Sequence, residues 1–179
     1  KRMAKQMSEM PLGRGVDPET KIGPVINDKA RENLQRLVDA TVSEGGAVLT
    51  GGKSVDGDGY FFEPTVLVDV KPGSTILQEE IFGPVAPIVR FKTEEEAIRL
   101  ANDTEYGLVS YAFTQDLKRG LRLVEKLDTG MTGLNTGLVS NAAAPFGGVK
   151  QSGLGREGGL EGIHEYLETK YVMIPDPNL

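Results

Sequence analysis

Gly153, Gly155 and Gly158 stand at the G-x-G-x-x-G spacing that cradles a pyrophosphate when a strand leads in and a helix leads out. That geometry also needs an acidic residue at the end of a second strand, about twenty residues on. Here the approach from Ala144 is a Gly- and Pro-rich loop, and Glu168 precedes the last apolar run instead of ending one. The spacing therefore predicts glycines that shape the entry to a helix. Gly52-Lys53-Ser54 copies the end of a P-loop, but the glycine required five residues earlier is Ala47. Asp56-Gly57-Asp58-Gly59 opens like a calcium loop, yet the fifth-position ligand falls on Tyr60. Both stretches read as turns. With no Cys and one His, the chain offers no disulfide, zinc cluster or thiol nucleophile, and His164 has no Ser or Asp at a recognised spacing.

Two stretches remain. Glu79 and Glu80 precede Ile81-Phe82-Gly83-Pro84, which by residue type alone is a solvated acidic face before an apolar turn. Ser140, beside Asn141, is either a turn former or a hydroxyl free to donate to a ligand. Lys150 and Arg156, isolated basic residues of the same glycine-rich loop, read as structural.

The 179 residues are 39% hydrophobic and 26% charged, enough for a real core in a globular protein. A net charge of -6, with no cluster of Lys and Arg among aromatics, argues against nucleic acid and anionic membrane as partners. No apolar run reaches the roughly 18 residues of a membrane span, and no signal-peptide pattern opens the chain, so the expected setting is cytoplasmic.

The elements that must position these residues follow from periodicity. Met3, Met7 and Met10 lie at helical spacing without a capping residue, so the chain is expected to begin inside a helix, as a fragment would. Asn27 caps a helix whose apolar face is Leu34, Leu37, Val38, Thr41 and Val42, ended by Gly45-Gly46. A short buried strand is expected over 47–50, a hairpin-like loop over 51–59, and strands over 65–70 and 85–91. A helix from Thr93, a strand over 109–114, a helix over 116–127 and a strand over 131–135 then give the alternation of a parallel sheet with crossover helices. A last helix over 156–167 and a terminal strand over 170–174 complete the pattern; the strand has no local partner and must join an earlier edge or a second subunit.

Glu80-Ile81-Phe82-Gly83-Pro84, Asn135, Pro145-Phe146-Gly147-Gly148 and Ser152-Gly153-Leu154-Gly155-Arg156-Glu157 together, in this order, resemble the aldehyde dehydrogenase superfamily over nearly the whole chain. The resemblance implies an α/β fold, a twisted, mostly parallel sheet with crossover helices of the aldehyde dehydrogenase catalytic-domain type, plus a C-terminal oligomerisation strand. Residues 1–150 would be part of that catalytic domain, 151–168 a loop and returning helix, and 169–179 the strand and tail. It implies NAD or NADP as cofactor, with the Glu80 carboxylate on the nicotinamide ribose and the Phe82 ring beside the nicotinamide. The 135–141 and 144–157 segments further resemble the branch that oxidises succinate semialdehyde and glutarate semialdehyde. There Ser140 would hydrogen-bond the distal carboxylate of a small aldehyde and Phe146 would line the substrate tunnel.

In that family thiolate attack on the aldehyde, hydride transfer and thioester hydrolysis need a cysteine and a glutamate that the resemblance places before this segment. The chain has no Cys, so the sequence predicts the C-terminal part of a larger enzyme, inactive alone, with no catalytic residue and no metal ligand of its own. A homodimer or homotetramer through the C-terminal strand is expected. An aminoaldehyde or betaine aldehyde dehydrogenase, or a stand-alone α/β domain that binds without chemistry, are the competing classes.

Overall fold

The computed structural model describes residues 1–175. The chain divides between Thr93 and Glu94 into two compact units.

The first unit is organised around one amphipathic helix. After a short helix α1 (Arg2–Ser8), α2 runs Asp28–Ser43, started by Asn27, whose Oδ1 accepts from the Ala30 N–H at 2.9 Å. Gly45, at φ +97°, ends it as the sequence predicts. Leu34, Leu37 and Val38 on its inner face close over Phe62, Leu67, Val70, Ile76 and Val85, a single core in which Leu34, Leu37 and Leu67 are fully buried. Truncating any of these leucines to Ala costs about 2–5 kcal/mol.

Beneath α2 lies a three-stranded sheet in the order β1 (Ala47–Thr50), β2 (Thr65–Val68), β3 (Val85–Pro87). β2 is central and buried, and pairs in parallel with β3. β1 is an antiparallel edge strand with mostly exposed residues, where the sequence predicts a buried one; the Gly-rich return between β1 and β2 folds it back like a hairpin arm. The strands at 65–70 and 85–91 are both shorter than predicted. Their ladder ends where β2 and β3 stop facing each other at Leu67 and Pro87.

The second unit contains α3 (Glu94–Asn102), β4 (Tyr106–Gly107), β5 (Val109–Ala112), α4 (Leu117–Lys126), β6 (Met131–Leu134) and β7 (Val149–Lys150). β5 and β6 pair in parallel across α4, the crossover unit the alternation predicts. Asp116 caps α4 by accepting from the Arg119 N–H at 3.1 Å. Gly120 is the buried residue of α4, and a Cβ there would meet Leu134 of β6 at 3.0 Å. β4 and β7 are antiparallel. Among the described residues the strands thus form three small sheets with parallel and antiparallel pairing, in place of one mostly parallel sheet.

One expectation near the C-terminus is corrected. The helix over 156–167 is a 3₁₀ segment, Glu161–Tyr166, because Gly158 and Gly159 sit at φ +67° and +61° and break any α-helical start. Residues 168–175 form no strand within this chain, and Tyr171, Val172, Met173 and Ile174 are exposed. The tail from 176 to 179 lies outside the described residues. No helix among those described is long and apolar enough to cross a membrane.

Candidate active-site segments

In the first unit, the segment from Thr75 to Val85 carries the acidic-aromatic motif. A 3₁₀ turn, Thr75–Leu77, opens it with Ile76 buried in the core. Glu44, at the C-terminal end of α2, holds this turn in place: its carboxylate accepts from the Thr75 hydroxyl at 2.6 Å and from the Thr75 N–H at 3.2 Å. The Thr75 hydroxyl, then its N–H, keep the Glu44 carboxyl below its ordinary pKa.

Beyond the turn, alternate residues are anchored. Glu79 forms an ion pair with Arg36 of α2, Ile81 packs on the core, and Gly83 lies against Leu34, where a Cβ would come within 2.5 Å of the Leu34 side chain. The Thr65 N–H donates to the Pro84 carbonyl at 2.8 Å, tying the end of the segment to β2. The residues between the anchors, Glu80 and Phe82, project to solvent. Glu80 has no hydrogen bond or ion pair among the described residues, whereas its neighbour Glu79 is engaged. Phe82 is 76% exposed and sits at φ +42°. A bulky non-glycine residue in this region is a genuine outlier, costing about 1–2 kcal/mol. An exposed ring recovers little of that by burial, so the conformation is imposed by Ile81 and Gly83 on either side.

In the second unit, β6 is followed by Asn135, also left-handed at φ +56°. Its side-chain amide clasps Thr114, accepting from the Thr114 N–H at 2.8 Å and donating to the Thr114 carbonyl at 2.9 Å. The loop that follows contains Ser140 and Phe146. Asn141 makes the turn: its Oδ1 accepts from the Ala143 N–H at 2.9 Å, and its carbonyl accepts from the Ala144 N–H at 3.0 Å. Ser140 is exposed and its hydroxyl has no partner among the described residues.

Phe146 is half-buried and pairs with Glu157 through two backbone bonds, at 2.7 and 2.8 Å, while the Gly159 N–H donates to the Ala142 carbonyl at 3.2 Å. The glycines of the G-x-G-x-x-G run have φ values of +106°, +88° and +67°. They turn the chain back so that Glu157 reaches Phe146, in left-handed conformations that favour glycine. Phe146, Leu108, Leu154, Arg156 and Tyr166 line a cavity of about 420 Å³.

Lys150 and Arg156 serve structure, as the sequence reading has them. The Lys150 ammonium donates to the carbonyls of Asn102 and Thr104 at 3.0 and 3.2 Å and pairs with Asp128 at 2.8 Å. The Arg156 guanidinium donates to the carbonyls of Gly148 and Gly155, both at 2.7 Å. Gly130 approaches the same loop so closely that a Cβ would lie 2.1 Å from the Gly147 carbonyl oxygen. At the other end of the unit, Glu94 binds Arg119 and Arg122; hydrogen bonding from Arg122 leads in lowering its pKa to about 2. His164 is exposed in the 3₁₀ segment, and among the described residues no group of three or more His, Asp or Glu could hold a metal ion.

Glu80 and Phe82 thus share one segment of the first unit, and Ser140 and Phe146 share one loop of the second. No local motif marks Arg36; it lies on the outer face of α2, and only the fold brings it to Glu79.

The model of the aldehyde dehydrogenase family matches residues 1–172, and the chain belongs to that family. A succinate-semialdehyde dehydrogenase from Paenarthrobacter nicotinovorans is 54% identical over 99% of this chain, which covers 39% of that protein. A glutarate-semialdehyde dehydrogenase from Pseudomonas putida is 49% identical over 97% of the chain and 36% of its own length. Among solved structures, a betaine aldehyde dehydrogenase from Staphylococcus aureus in complex with NAD+ superposes with a TM-score of 0.88 at 42% identity, over 94% of this chain and 34% of that one. The chain therefore spans well under half the length of the relatives it matches.

Proposed function

We propose that this chain forms the cofactor-positioning and substrate-tunnel part of an NAD(P)-dependent dehydrogenase that oxidises an ω-carboxy aldehyde, succinate semialdehyde first, to the acid. The observation that carries the reading is the segment 79–83, which presents an unpaired carboxylate at Glu80 and an exposed ring on the strained backbone of Phe82 from three anchored neighbours. Residues held in sparsely populated backbone conformations cluster at functional sites, and this one presents its side chain to solvent beside an unpaired carboxylate.

The donor and ring chemistry fits a dinucleotide. Bound NAD(P)+ supplies the hydride acceptor. The Glu80 carboxylate accepts hydrogen bonds from vicinal ribose hydroxyls, fixing the sugar, and the Phe82 ring gives the attached base an apolar flank; together they restrict orientation before reaction. Ser140 donates its unpartnered hydroxyl to the distal carboxylate of the aldehyde. A carboxylate left unpaired in an apolar tunnel is costly, so this donor favours ω-carboxy aldehydes over neutral ones. Phe146 supplies an apolar wall. The thiol and the water-activating carboxylate that the reaction needs come from outside these 179 residues, which contain no Cys. The exposed run Tyr171 to Ile174 adds a strand to a neighbouring subunit, giving a homodimer or homotetramer.

Glutarate semialdehyde is the second reading, favoured by the likeness to the Pseudomonas putida enzyme. One methylene in an apolar tunnel discriminates by only about 10–200-fold. The test is steady-state oxidation by the intact protein of succinate semialdehyde, glutarate semialdehyde and butanal, each with NAD+ and with NADP+. The expected result is a kcat/KM for a carboxylated aldehyde about a hundredfold or more above that for butanal. Equal turnover of butanal would defeat the assignment.

A further inference from the structure

Two adjacent carboxylates, Glu79 and Glu80, precede Phe82, and only one of them is free. Arg36 makes the difference. It projects from α2, where Asn33, one turn earlier, accepts from its Nε at 3.1 Å and from its Nη2 at 2.6 Å. The same Nη2 then pairs with Glu79. A guanidinium held on one side by its own helix is a preorganised clamp, because its rotamer is already fixed before the carboxylate arrives. The clamp lies one residue before Glu80, and the next anchors, Ile81 on the core and Gly83 on Leu34, follow at alternate positions. Of the three, only the Arg36 anchor is an ion pair; the others are packing.

We propose that Arg36 is a positioning residue for the cofactor-binding segment. By engaging Glu79 it fixes the backbone from which Glu80 and Phe82 project, and it neutralises a second carboxylate that would otherwise compete with Glu80 for the ribose hydroxyls and repel the anionic pyrophosphate. The inference rests on the cofactor role of Glu80 proposed above. Both partners are about half exposed, at 49% and 43%, so the pair itself contributes little to stability. Its effect is expected in cofactor affinity.

The test uses the intact protein with Arg36→Ala, Glu79→Gln, Arg36→Lys, the exchanged pair Arg36→Glu with Glu79→Arg, and Glu80→Gln as reference. Arg36→Ala is expected to raise the KM for NAD(P)+ about two- to fivefold, the range of an exposed ion pair. The KM for aldehyde and the melting temperature should stay near their wild-type values. Arg36→Lys and the exchanged pair should recover part of the loss, and Glu79→Gln should be milder than Arg36→Ala because it removes the rival charge. An unchanged cofactor KM in Arg36→Ala, an equal rise in both KM values, or an exchanged pair no better than Arg36→Ala would overturn the proposal. So would failure of Arg36→Ala to fold, which would make the pair a stability element. If Glu80→Gln leaves cofactor KM unchanged, the cofactor reading itself falls; if it raises that KM while Arg36→Ala does not, only the positioning role falls.

Discussion

Replacing Phe82 by Gly and, separately, by Ala separates backbone strain from ring function. At φ +42° any L-residue with a Cβ carries about 1–2 kcal/mol of left-handed strain. Phe82→Ala keeps that strain; Phe82→Gly relieves it, but adds about 0.5–1 kcal/mol of unfolded-chain entropy. The difference places Gly roughly 0–1.5 kcal/mol above Ala in stability, inverting the order found at ordinary positions. Loss of the ring itself costs little, since it is 76% exposed and keeps only about a quarter of the roughly 1.5–3 kcal/mol of a fully buried Phe. Phe82→Gly should therefore unfold in urea within about 1 kcal/mol of the wild type, while Phe62→Ala, in the core at 1% exposure, should lose about 3–5 kcal/mol. Both Phe82 variants should show a weakened KM for NAD(P)+. A Phe82→Ala protein clearly more stable than Phe82→Gly would refute the strain argument. A loss above about 2 kcal/mol in Phe82→Gly would show the ring to be core.

Other perturbations act on separate parts of the chain. Ser140→Ala should lower kcat/KM for succinate semialdehyde by about 10–100-fold, the loss of a hydrogen bond to a charged group, and leave butanal nearly unchanged, as parallel steady-state assays would show. Gly130→Ala drives a methyl into the Gly147 carbonyl; a loss of about 1–3 kcal/mol on urea unfolding and a raised aldehyde KM are expected as the Phe146 loop shifts. Glu94 has a folded pKa of about 2 against an ordinary 4.5, so its pairing with the arginines stabilises fully above pH 4.5 and is lost as pH falls toward 2. Glu94→Gln should flatten the fall in thermal midpoint across that window; an unaltered acid profile would contradict the linkage.

The helices were legible because their signals are local. Asn27 and Asp116 cap as residues of their type do, and the Leu34-Leu37-Val38 face fixes which side of α2 is buried. The α-helix expected after the glycine run at 153–158 is a 3₁₀ segment, since apolar periodicity cannot register the left-handed φ of Gly158 and Gly159. β1 is exposed where its apolar run predicts burial, because such a run does not say whether its strand will be central or at an edge. At the candidate site, residue types point to Glu80 and Phe82 only through family resemblance. Which of two adjacent carboxylates is free depends on Arg36, 43 residues away from Glu79 in sequence, and the strain at Phe82 depends on packing of its neighbours. Neither is encoded in spacing.

The free carboxylate at position 80, and not the paired one at 79, is expected to hold the cofactor. Glu80→Gln and Glu79→Gln preserve size and remove charge, so the KM for NAD(P)+ of the two variants, measured side by side in the intact protein, tests it most directly. A rise of about 10–100-fold is expected for Glu80→Gln, matching the loss of charged hydrogen bonds, and less than about fivefold for Glu79→Gln. Equal effects, or a larger effect at Glu79, would contradict it.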